Sequence, residues 1–348
     1  DNGGTTAIDG GSVTTTGAQT YNDAVSLGAD TTLTGTNISF GSTVDGSQAL
    51  TVSGTGTTTF SGVVGGTTAL SSLTVDNGGT TAIDGGSVTT TGAQTYNDAV
   101  TLGANTTLTT TNSNVSFADT VDGDVAGRAL TVSAGTGTVS FSSTVGATNA
   151  LGNITLTADE IDFTGGNGSV QGSGTITLRP SADGTTIGVG GGIGTLDLSI
   201  ADIGALADGF SQITIGRAGG TAAVTVNAIT FNDPAVIQSN GVGGSVTVDG
   251  TITGAGNASV SIIAPGITLN TVGTVVTTAG QDVSFTGAVT LAVNTTVTTG
   301  VGGGNISFSS TVDGNGAGSE SLTLTAGTGN VTISGAAGGV WVRGGRSP

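Results

Sequence analysis

The residues of this chain that could do chemistry are carboxylates, because its 348 residues include no His, no Cys and no Met. Without His or Cys there is no Ser-His-Asp or Cys-His triad, no zinc site built on those side chains, and no haem ligation through His, Met or Cys. Glycoside hydrolysis needs two carboxylates at a defined separation, one of them with a raised pKa. The densest acidic spots are Asp119, Asp122 and Asp124, and Asp159, Glu160 and Asp162.

The first acidic spot is also what solvated turn residues produce. Asp119 and Asp122 flank a corner of a repeated segment, and an earlier copy has Ser42 and Asp45 at the same places. The repeat therefore does not require the cluster. We predict no catalytic residue, and we predict that the chain is not an enzyme.

Calcium is the one cofactor that the composition leaves open, and otherwise we predict none. Asp-Gly corners and backbone carbonyls supply the oxygen ligands that Ca²⁺ takes. The tandem calcium nonapeptide GGxGxDxUx does not occur, and GGNGSVQGS at Gly165–Ser173 has the glycines without the Asp. GVGGGIG at Gly188–Gly194 is not followed by Lys-Ser/Thr, so it does not form a phosphate-binding loop.

The charge balance restricts the partners. The chain has 23 acidic residues and a net charge of −18. Phosphate binding requires clustered cations, and an anionic membrane surface would repel this chain, so we predict no nucleic-acid partner. We find no run of 18 apolar residues and predict no transmembrane segment. The five basic residues are Arg128, Arg179, Arg217, Arg343 and Arg346.

Internal repeats organise the chain. Residues 1–25 and 76–100 are identical, at an offset of 75. Further along, Phe40 parallels Phe117 and Phe60 parallels Phe141, where the offset has grown to 81 through insertions of two, three and one residues. The insertions fall in Gly/Ser/Asn/Asp-rich stretches, which we predict to be loops.

A third, diverged copy follows, in which VSFTGAVTLAVNTTV parallels QTYNDAVTLGANTTL. Between the second and third copies the chain keeps the same pattern of short strands, and LDLSIADIGALADGF is ambiguous between a helical turn and a strand pair. We predict one continuous repeat structure. Its parts are module 1 (1–75), module 2 (76–156), a diverged region (157–276), module 3 (277–339) and a tail (340–348).

A finer period predicts the fold. The residues that end successive strand phrases are Tyr21, Phe40, Phe60, Ile83 and Tyr96, spaced by 19, 20, 23 and 13. A period near 20 with short alternating strands is typical of the coils of a β-helix. Gly-Gly, Asp-Gly and Asn-Gly supply positive φ angles at the corners. We predict an all-β parallel β-solenoid of about 17 coils.

Stacked coils place equivalent side chains above one another at about 4.8 Å. The aromatic residues of this pattern are therefore predicted to form a ladder in the core. The ladder residues are Phe40, Phe60, Phe117, Phe141, Phe285 and Phe308.

Two phrases, ALTVSGTGTTTFSGVVGGTTALSSLTV and GSVTTTGAQTYNDAVTLGANTTLTTT, carry a family resemblance. They resemble the repeat regions of very large bacterial exoproteins, the filamentous-haemagglutinin-like adhesins and the giant repeat proteins of cyanobacteria and proteobacteria. IADIGALADGFSQITIGRAGG is similar to a recurring phrase of those proteins. The resemblance reaches about Gly339. It implies a right-handed parallel β-helix, secretion to the bacterial cell surface, and a role in adhesion, biofilm or surface fibres.

The function predicted from these observations is a structural or adhesive extracellular fibre component. The alternative is a glycan-binding or glycan-active β-helix with cell-surface glycans as partners, although Trp341, Tyr21 and Tyr96 are few for an aromatic groove. Ice binding is a third reading, but the TTT triplets at 15–17, 57–59 and 109–111 are irregularly spaced. Residues 1–25 duplicate an internal segment and include no atypical capping unit, so we predict end-to-end self-association or continuation in a longer chain.

Overall fold

The computed structural model describes residues 3–76, 78–316 and 319–345. The chain divides into two compact units, Asp1–Gly174 (unit 1) and Thr175–Pro348 (unit 2). Their boundary lies within the diverged region of the sequence. Nearly all described elements are short parallel strands wound as a β-solenoid of about 15 turns. The predicted fold class is confirmed.

Unit 1 contains nineteen described strands. They are β1 (Thr5–Ile8), β2 (Ser12–Thr14), β3 (Gln19–Tyr21), β4 (Ala24–Leu27), β5 (Thr31–Gly35), β6 (Ile38–Phe40), β7 (Val44–Asp45), β8 (Ala49–Gly54), β9 (Thr57–Phe60), β10 (Ser72–Val75), β11 (Thr80–Ile83), β12 (Ser87–Thr89), β13 (Gln94–Tyr96), β14 (Ala99–Leu102), β15 (Thr106–Thr109), β16 (Val115–Phe117), β17 (Val121–Gly123), β18 (Leu130–Phe141) and β19 (Ile154–Phe163).

These strands form three parallel sheets, which the chain visits in turn. Sheet 1 contains β1, β4, β7, β12, β15 and the first halves of β18 and β19, with Val64 bridging β7 to β12. Sheet 2 contains β2, β5, β8, β10, β13, β16 and the second halves of β18 and β19. Sheet 3 contains β3, β6, β9, β11, β14 and β17.

Alternation along each strand decides which side chains enter the core. Strand β8 reads ALTVSG, and its Leu50, Val52 and Gly54 are buried while the residues between them are partly exposed. Leu50 pairs in register with Leu73 of the next coil, so like side chains lie above one another. Each coil buries its apolar face against its neighbours, as solenoid coils do.

The sequence repeat and the structural coil are out of step in unit 1. A coil takes 19 residues from Val25 to Val44 but 24 from Val132 to Leu156. Strand β1 lies in sheet 1, whereas β11, which has the same sequence, lies in sheet 3. The 75-residue offset therefore spans three coils and two further sheets. The gap of 13 from Ile83 to Tyr96 is a step of two sheets, and the residue that pairs with Ile83 one coil later is Leu102.

Two of the three insertions in the second copy lie in loops, as predicted. They fall in residues 110–114, between β15 and β16, and in residues 124–129, between β17 and β18. The third lies inside β18, where the pairing with β19 shifts register around Gly135. Gly135 has a φ of 58°, so a β-bulge with glycine in the left-handed region absorbs the extra residue.

Unit 2 contains nineteen described strands and one short helix. They are β20 (Thr175–Arg179), β21 (Ile187–Val189), β22 (Leu196–Leu198), α1 (Ile200–Gly204), β23 (Gln212–Arg217), β24 (Ala223–Val226), β25 (Ile229–Phe231), β26 (Ala235–Ser239), β27 (Ser245–Val248), β28 (Ile252–Gly254), β29 (Val260–Leu269), β30 (Gly273–Thr278), β31 (Val283–Leu291), β32 (Thr295–Thr298), β33 (Ile306–Phe308), β34 (Val312–Gly314), β35 (Glu320–Thr325), β36 (Val331–Ile333), β37 (Ala337–Gly338) and β38 (Val340–Gly345).

Unit 2 also has three parallel sheets. Sheet 4 contains β20, β23, β26, β33, β36 and the first halves of β29 and β31. Sheet 5 contains β21, β22, β24, β27, β34, β37 and the second halves of β29 and β31. Sheet 6 contains β25, β28, β30, β32, β35 and β38.

The ambiguous segment LDLSIADIGALADGF contains both a strand and a helical turn. Strand β22 pairs with β21 at the edge of sheet 5. Helix α1 then begins after Ser199, whose side chain and that of Asp202 form a capping box. Ile203, Leu206 and Phe210 are buried by this turn.

The six residues of the predicted ladder are all buried, and they belong to three aromatic columns. Column 1 runs through Tyr21, Phe40 and Phe60 on sheet 3, with ring centroids 5.3 and 5.2 Å apart. Column 2 runs through Tyr96, Phe117, Phe141 and Phe163 on sheet 2, with spacings of 5.1, 4.8 and 5.6 Å. Column 3 is Phe285 and Phe308 on sheet 4, 4.7 Å apart. One ladder through all six does not form, because the repeat offset moves each copy to another sheet.

Candidate functional site

The corners between strands carry a recurring contact that we call a bracket. In a bracket, the side-chain oxygen of an Asp or Asn accepts a hydrogen bond from a backbone N–H of the adjoining coil. Thr57 N donates to Asn37 Oδ1 at 2.9 Å, for example, and Asn330 N donates to Asn305 Oδ1 at 2.9 Å. The bracket residues are Asp23, Asp30, Asn37, Asp45, Asp98, Asn105, Asn112, Asn114, Asp122, Asp233, Asp282, Asn294 and Asn305.

Brackets form at corners because the ladder of backbone hydrogen bonds is interrupted there. A backbone N–H that leaves the ladder still needs an acceptor. A short Asp or Asn side chain spans the distance of about 4.8 Å to the next coil. Such a bond contributes about 0.5–1.5 kcal/mol, and about 1.5–3 kcal/mol when the acceptor is charged.

One class of bracket follows the sequence aromatic-Asn-Asp. Asp23 accepts from Gly3 N at 2.9 Å, Asp98 accepts from Gly78 N at 3.0 Å, and Asp233 accepts from Gly209 N at 3.1 Å. The three carboxylates do the same work in different surroundings. Asp98 is 3% exposed and Asp233 is 1% exposed, whereas Asp23 is half-buried.

The surroundings change the electrostatics of this class. Hydrogen bonds from the backbone N–H groups of Gly3 and Gly4 lower the pKa of Asp23. Desolvation by burial raises the pKa of Asp233, and the nearby carboxylate of Asp208 acts in the same direction. Burial without a compensating charge disfavours the ionised form of a carboxyl group.

The first acidic spot of the sequence is divided among separate structural contacts. Asp119 accepts from Thr120 N at 2.7 Å. Asp122 is a bracket residue that accepts from Thr148 N at 2.9 Å. Asp124 forms an ion pair with Arg128, 2.6 Å between Oδ1 and Nε, which lowers the pKa of Asp124.

The second acidic spot lies on strand β19. Glu160 pairs in register with Thr138, and Asp162 pairs with Ser140. The three carboxylates Asp159, Glu160 and Asp162 are each partly exposed. All three therefore belong to one strand rather than to facing elements of a cleft within unit 1.

A second polar device accompanies the aromatic columns. Gln94 is fully buried, and its Nε2 donates to the carbonyl oxygens of Val88 and Thr109 at 3.2 and 3.0 Å. The hydroxyl of Tyr96 donates to Gln94 Oε1 at 3.0 Å. Burial raises the pKa of Tyr96, which keeps this hydroxyl protonated. Gln19 and Tyr21 make the same contacts in the first copy.

A shallow cavity of about 340 Å³ opens on unit 2. Its floor includes Gly216, which has a φ of 93° and whose lack of a side chain leaves room beside the carbonyl of Gln238. Arg217 lines one wall, where its Nε contacts Asp183 Oδ1 at 2.5 Å and its NH1 donates to Pro180 O. The guanidinium of Arg217 is therefore engaged within unit 2.

Two further searches covered the described ranges 3–76, 78–316 and 319–345. They contain no group of three or more acidic side chains that could together hold a metal ion. None of their helices has the length and apolar character needed to cross a membrane. Of the tail, the Trp341 side chain and residues 346–348, including Arg346, lie outside the described residues.

Sequence reasoning missed the brackets, since it treated corner acids as solvated. The signal was present in the repeats. Asn-Asp follows an aromatic residue at Tyr21, Tyr96 and Phe231, and Val-Asp-Gly recurs at Val44, Val121 and Val312. A polar residue repeated at the same place in a coil indicates a contact with the next coil.

The fold and the brackets together define the chain as a parallel β-solenoid repeat protein. Comparison with protein-family models, with curated proteins and with solved structures found no significant match. The likeness to filamentous-haemagglutinin-like proteins therefore stays a resemblance of repeat style.

Proposed function

We propose that this protein is a structural, non-catalytic β-solenoid that serves as an extracellular fibre or adhesive surface component. The observation that carries the proposal is the use of its Asp and Asn side chains. At thirteen corners these side chains bind a backbone N–H of the adjoining coil. Polar groups that would serve catalysis in an enzyme here hold one coil to the next.

We further propose that coils associate end to end between copies of the chain. Residues 1–25 and 76–100 have one sequence, and the second copy pairs on both sides of its strands. Thr89 N, in β12, donates to Val64 O of the preceding coil at 2.9 Å, and Val64 N donates to Ser87 O at 3.0 Å. The corresponding groups of β2 are Thr14 N and Ser12 O, which lie on the edge of β2 opposite β5. Such an edge pairs with further strands.

The identical segments supply a matched test. Thr14→Pro removes an edge N–H in β2, and Thr89→Pro removes the corresponding internal N–H in β12. Proline is tolerated at a sheet edge but disrupts an internal ladder. Sedimentation velocity over a range of concentrations, with electron microscopy of the same samples, measures association.

We expect the wild-type chain to form elongated oligomers and Thr14→Pro to reduce them without lowering the melting temperature. Thr89→Pro should lower the melting temperature. Wild-type protein that stays monomeric at the highest concentration, or association that is equal in Thr14→Pro, would contradict the end-to-end proposal. Hydrolysis or cleavage of a polysaccharide by the purified chain would contradict the non-catalytic role.

A further inference from the structure

The bracket at Asp233 differs from the others in having a second carboxylate beside it. Asp233 follows Phe231 and Asn232 at a corner of unit 2 and is 1% exposed. Its Oδ1 accepts from Gly209 N at 3.1 Å. Its Oδ2 is buried and has no hydrogen-bond partner among the described residues. Asp208, the exposed residue directly before Gly209, faces the same carboxyl group.

Two carboxylates in contact cannot both stay charged without a third component. Either they share a proton or a cation lies between them. The buried Oδ2 of Asp233 needs such a partner, because an unpaired carboxylate oxygen removed from water is unfavourable. Desolvation and the charge of Asp208 raise the pKa of Asp233, as they do when the compensating ion is missing.

We propose that Asp208 and Asp233 form a Ca²⁺ site, in which Asp233 Oδ2 is the buried ligand and Asp208 is the ligand on the solvent side. All available donors are oxygen atoms, which suits a hard cation. Calcium accepts irregular coordination and completes its shell with water and backbone carbonyl oxygens, whereas Mg²⁺ demands near-octahedral geometry. With two acidic ligands rather than three or more, we expect an affinity of about 10⁻⁴–10⁻³ M, the range of extracellular calcium modules.

The other members of the same bracket class are internal comparisons. Asp98 has the same bracket and a buried Oδ2 that also has no described partner. The residue before its donor glycine is Asn77 in the sequence, and in the first copy that residue is Asn2. Asp208 is therefore the residue that distinguishes the third bracket from the other two. Asp208→Asn gives the third bracket the residue found in the first two.

The experiment measures Ca²⁺ binding by titration calorimetry and the melting temperature with millimolar CaCl₂ or MgCl₂ at constant ionic strength. We expect Ca²⁺ to bind and to raise the melting temperature of the wild type more than Mg²⁺ does. Asp208→Asn should weaken binding at least about tenfold, a loss of about 1.4 kcal/mol. Asp233→Asn should abolish binding while its Oδ1 still accepts from Gly209. The matched control, Asp98→Asn, should leave Ca²⁺ binding unchanged.

Three results would overturn the site. One is a Ca²⁺ response that is the same in Asp208→Asn and the wild type, which would mean a diffuse effect of the net negative charge. Another is equal binding of Ca²⁺ and Mg²⁺. The third is no response to Ca²⁺ in a wild-type chain whose stability rises on acidification, which would mean that the two carboxyls share a proton. None of these results bears on end-to-end association, so the two proposals fail independently.

Discussion

Tyr21 and Tyr96 occupy the same place in two identical segments, yet Tyr96 does not lie in the column that Tyr21 begins. Tyr21 packs on Phe40 in sheet 3, whereas Tyr96 packs on Phe117 in sheet 2. The position in sheet 3 four coils along is taken by Ile83. One sequence thus serves two sheets, because each sheet asks the same thing of it, an alternation with one apolar face inward. The repeat length need only be a whole number of strand steps, not of coils.

The centre of column 2 should be the most sensitive place in unit 1. Phe117 lies between Tyr96 and Phe141, with ring centroids 5.1 and 4.8 Å away, and is 1% exposed. Phe117→Ala should lower the free energy of unfolding by about 3–5 kcal/mol, as for other buried Phe truncations. Asp119→Ala should change it little, since Asp119 bonds only its neighbour Thr120. Urea unfolding followed by circular dichroism measures both. A larger loss for Asp119→Ala would reverse the assignment of core and corner.

The buried Tyr–Gln pair should show how depth changes the value of one hydrogen bond. Tyr96→Phe leaves Gln94 Oε1 buried without its donor, at a cost of about 1–3 kcal/mol. Tyr21→Phe removes the same bond to Gln19 where the side chain is partly exposed, and water can replace the hydroxyl. Thermal unfolding of the two variants should therefore give a larger decrease for Tyr96→Phe. Equal decreases would show that burial does not set the strength of this contact.

Brackets should contribute to stability through their acceptor oxygen rather than through charge. Asp122 accepts from Thr148 N and Asn149 N. Asp122→Ala should lower the free energy of unfolding by about 1–3 kcal/mol, because both N–H groups lose their acceptor. Asp122→Asn keeps an oxygen at the same place and should retain most of that stability. Hydrogen exchange at Thr148 and Asn149 should accelerate in the alanine variant and much less in the asparagine variant.

The opposite pKa shifts of Asp23 and Asp233 predict opposite pH dependences. The folded-state pKa of Asp233 is raised, so the folded state holds its proton more tightly than the unfolded state. Its contribution to stability is then greatest at low pH and falls as pH rises from about 3.9 to the folded-state pKa. The folded-state pKa of Asp23 is lowered, so its contribution is present above about 3.9 and is lost as pH falls.

Melting temperatures measured between pH 4 and pH 8 in the presence of a chelator test the sign for Asp233. The difference between Asp233→Asn and the wild type should grow in favour of the variant as pH rises. Asp23→Asn should show the reverse, with its largest loss relative to the wild type at neutral pH. A difference for Asp233→Asn that does not depend on pH would mean that the carboxyl is not perturbed.

The solenoid class could be predicted because its cause is local and repeated. Alternating apolar residues such as Leu50 and Val52, and glycines at corners, specify a half-buried strand and a turn in every coil. Stacking such units is then the way to bury their apolar faces. The residues of the aromatic columns could be named for the same reason, since Phe40, Phe117 and Phe285 each end a strand on its inward side.

The columns themselves and the brackets were decided by the tertiary structure. Which residue lies above Tyr96 depends on the lengths of all the coils between the copies, and a coil varies from 19 to 24 residues with its loops. The sequence displays Asp208 and Asp233 as two corner acids, 25 residues apart. Only the winding of one coil onto the next brings them together, because the contact is made across the coil spacing of about 4.8 Å and not along the chain.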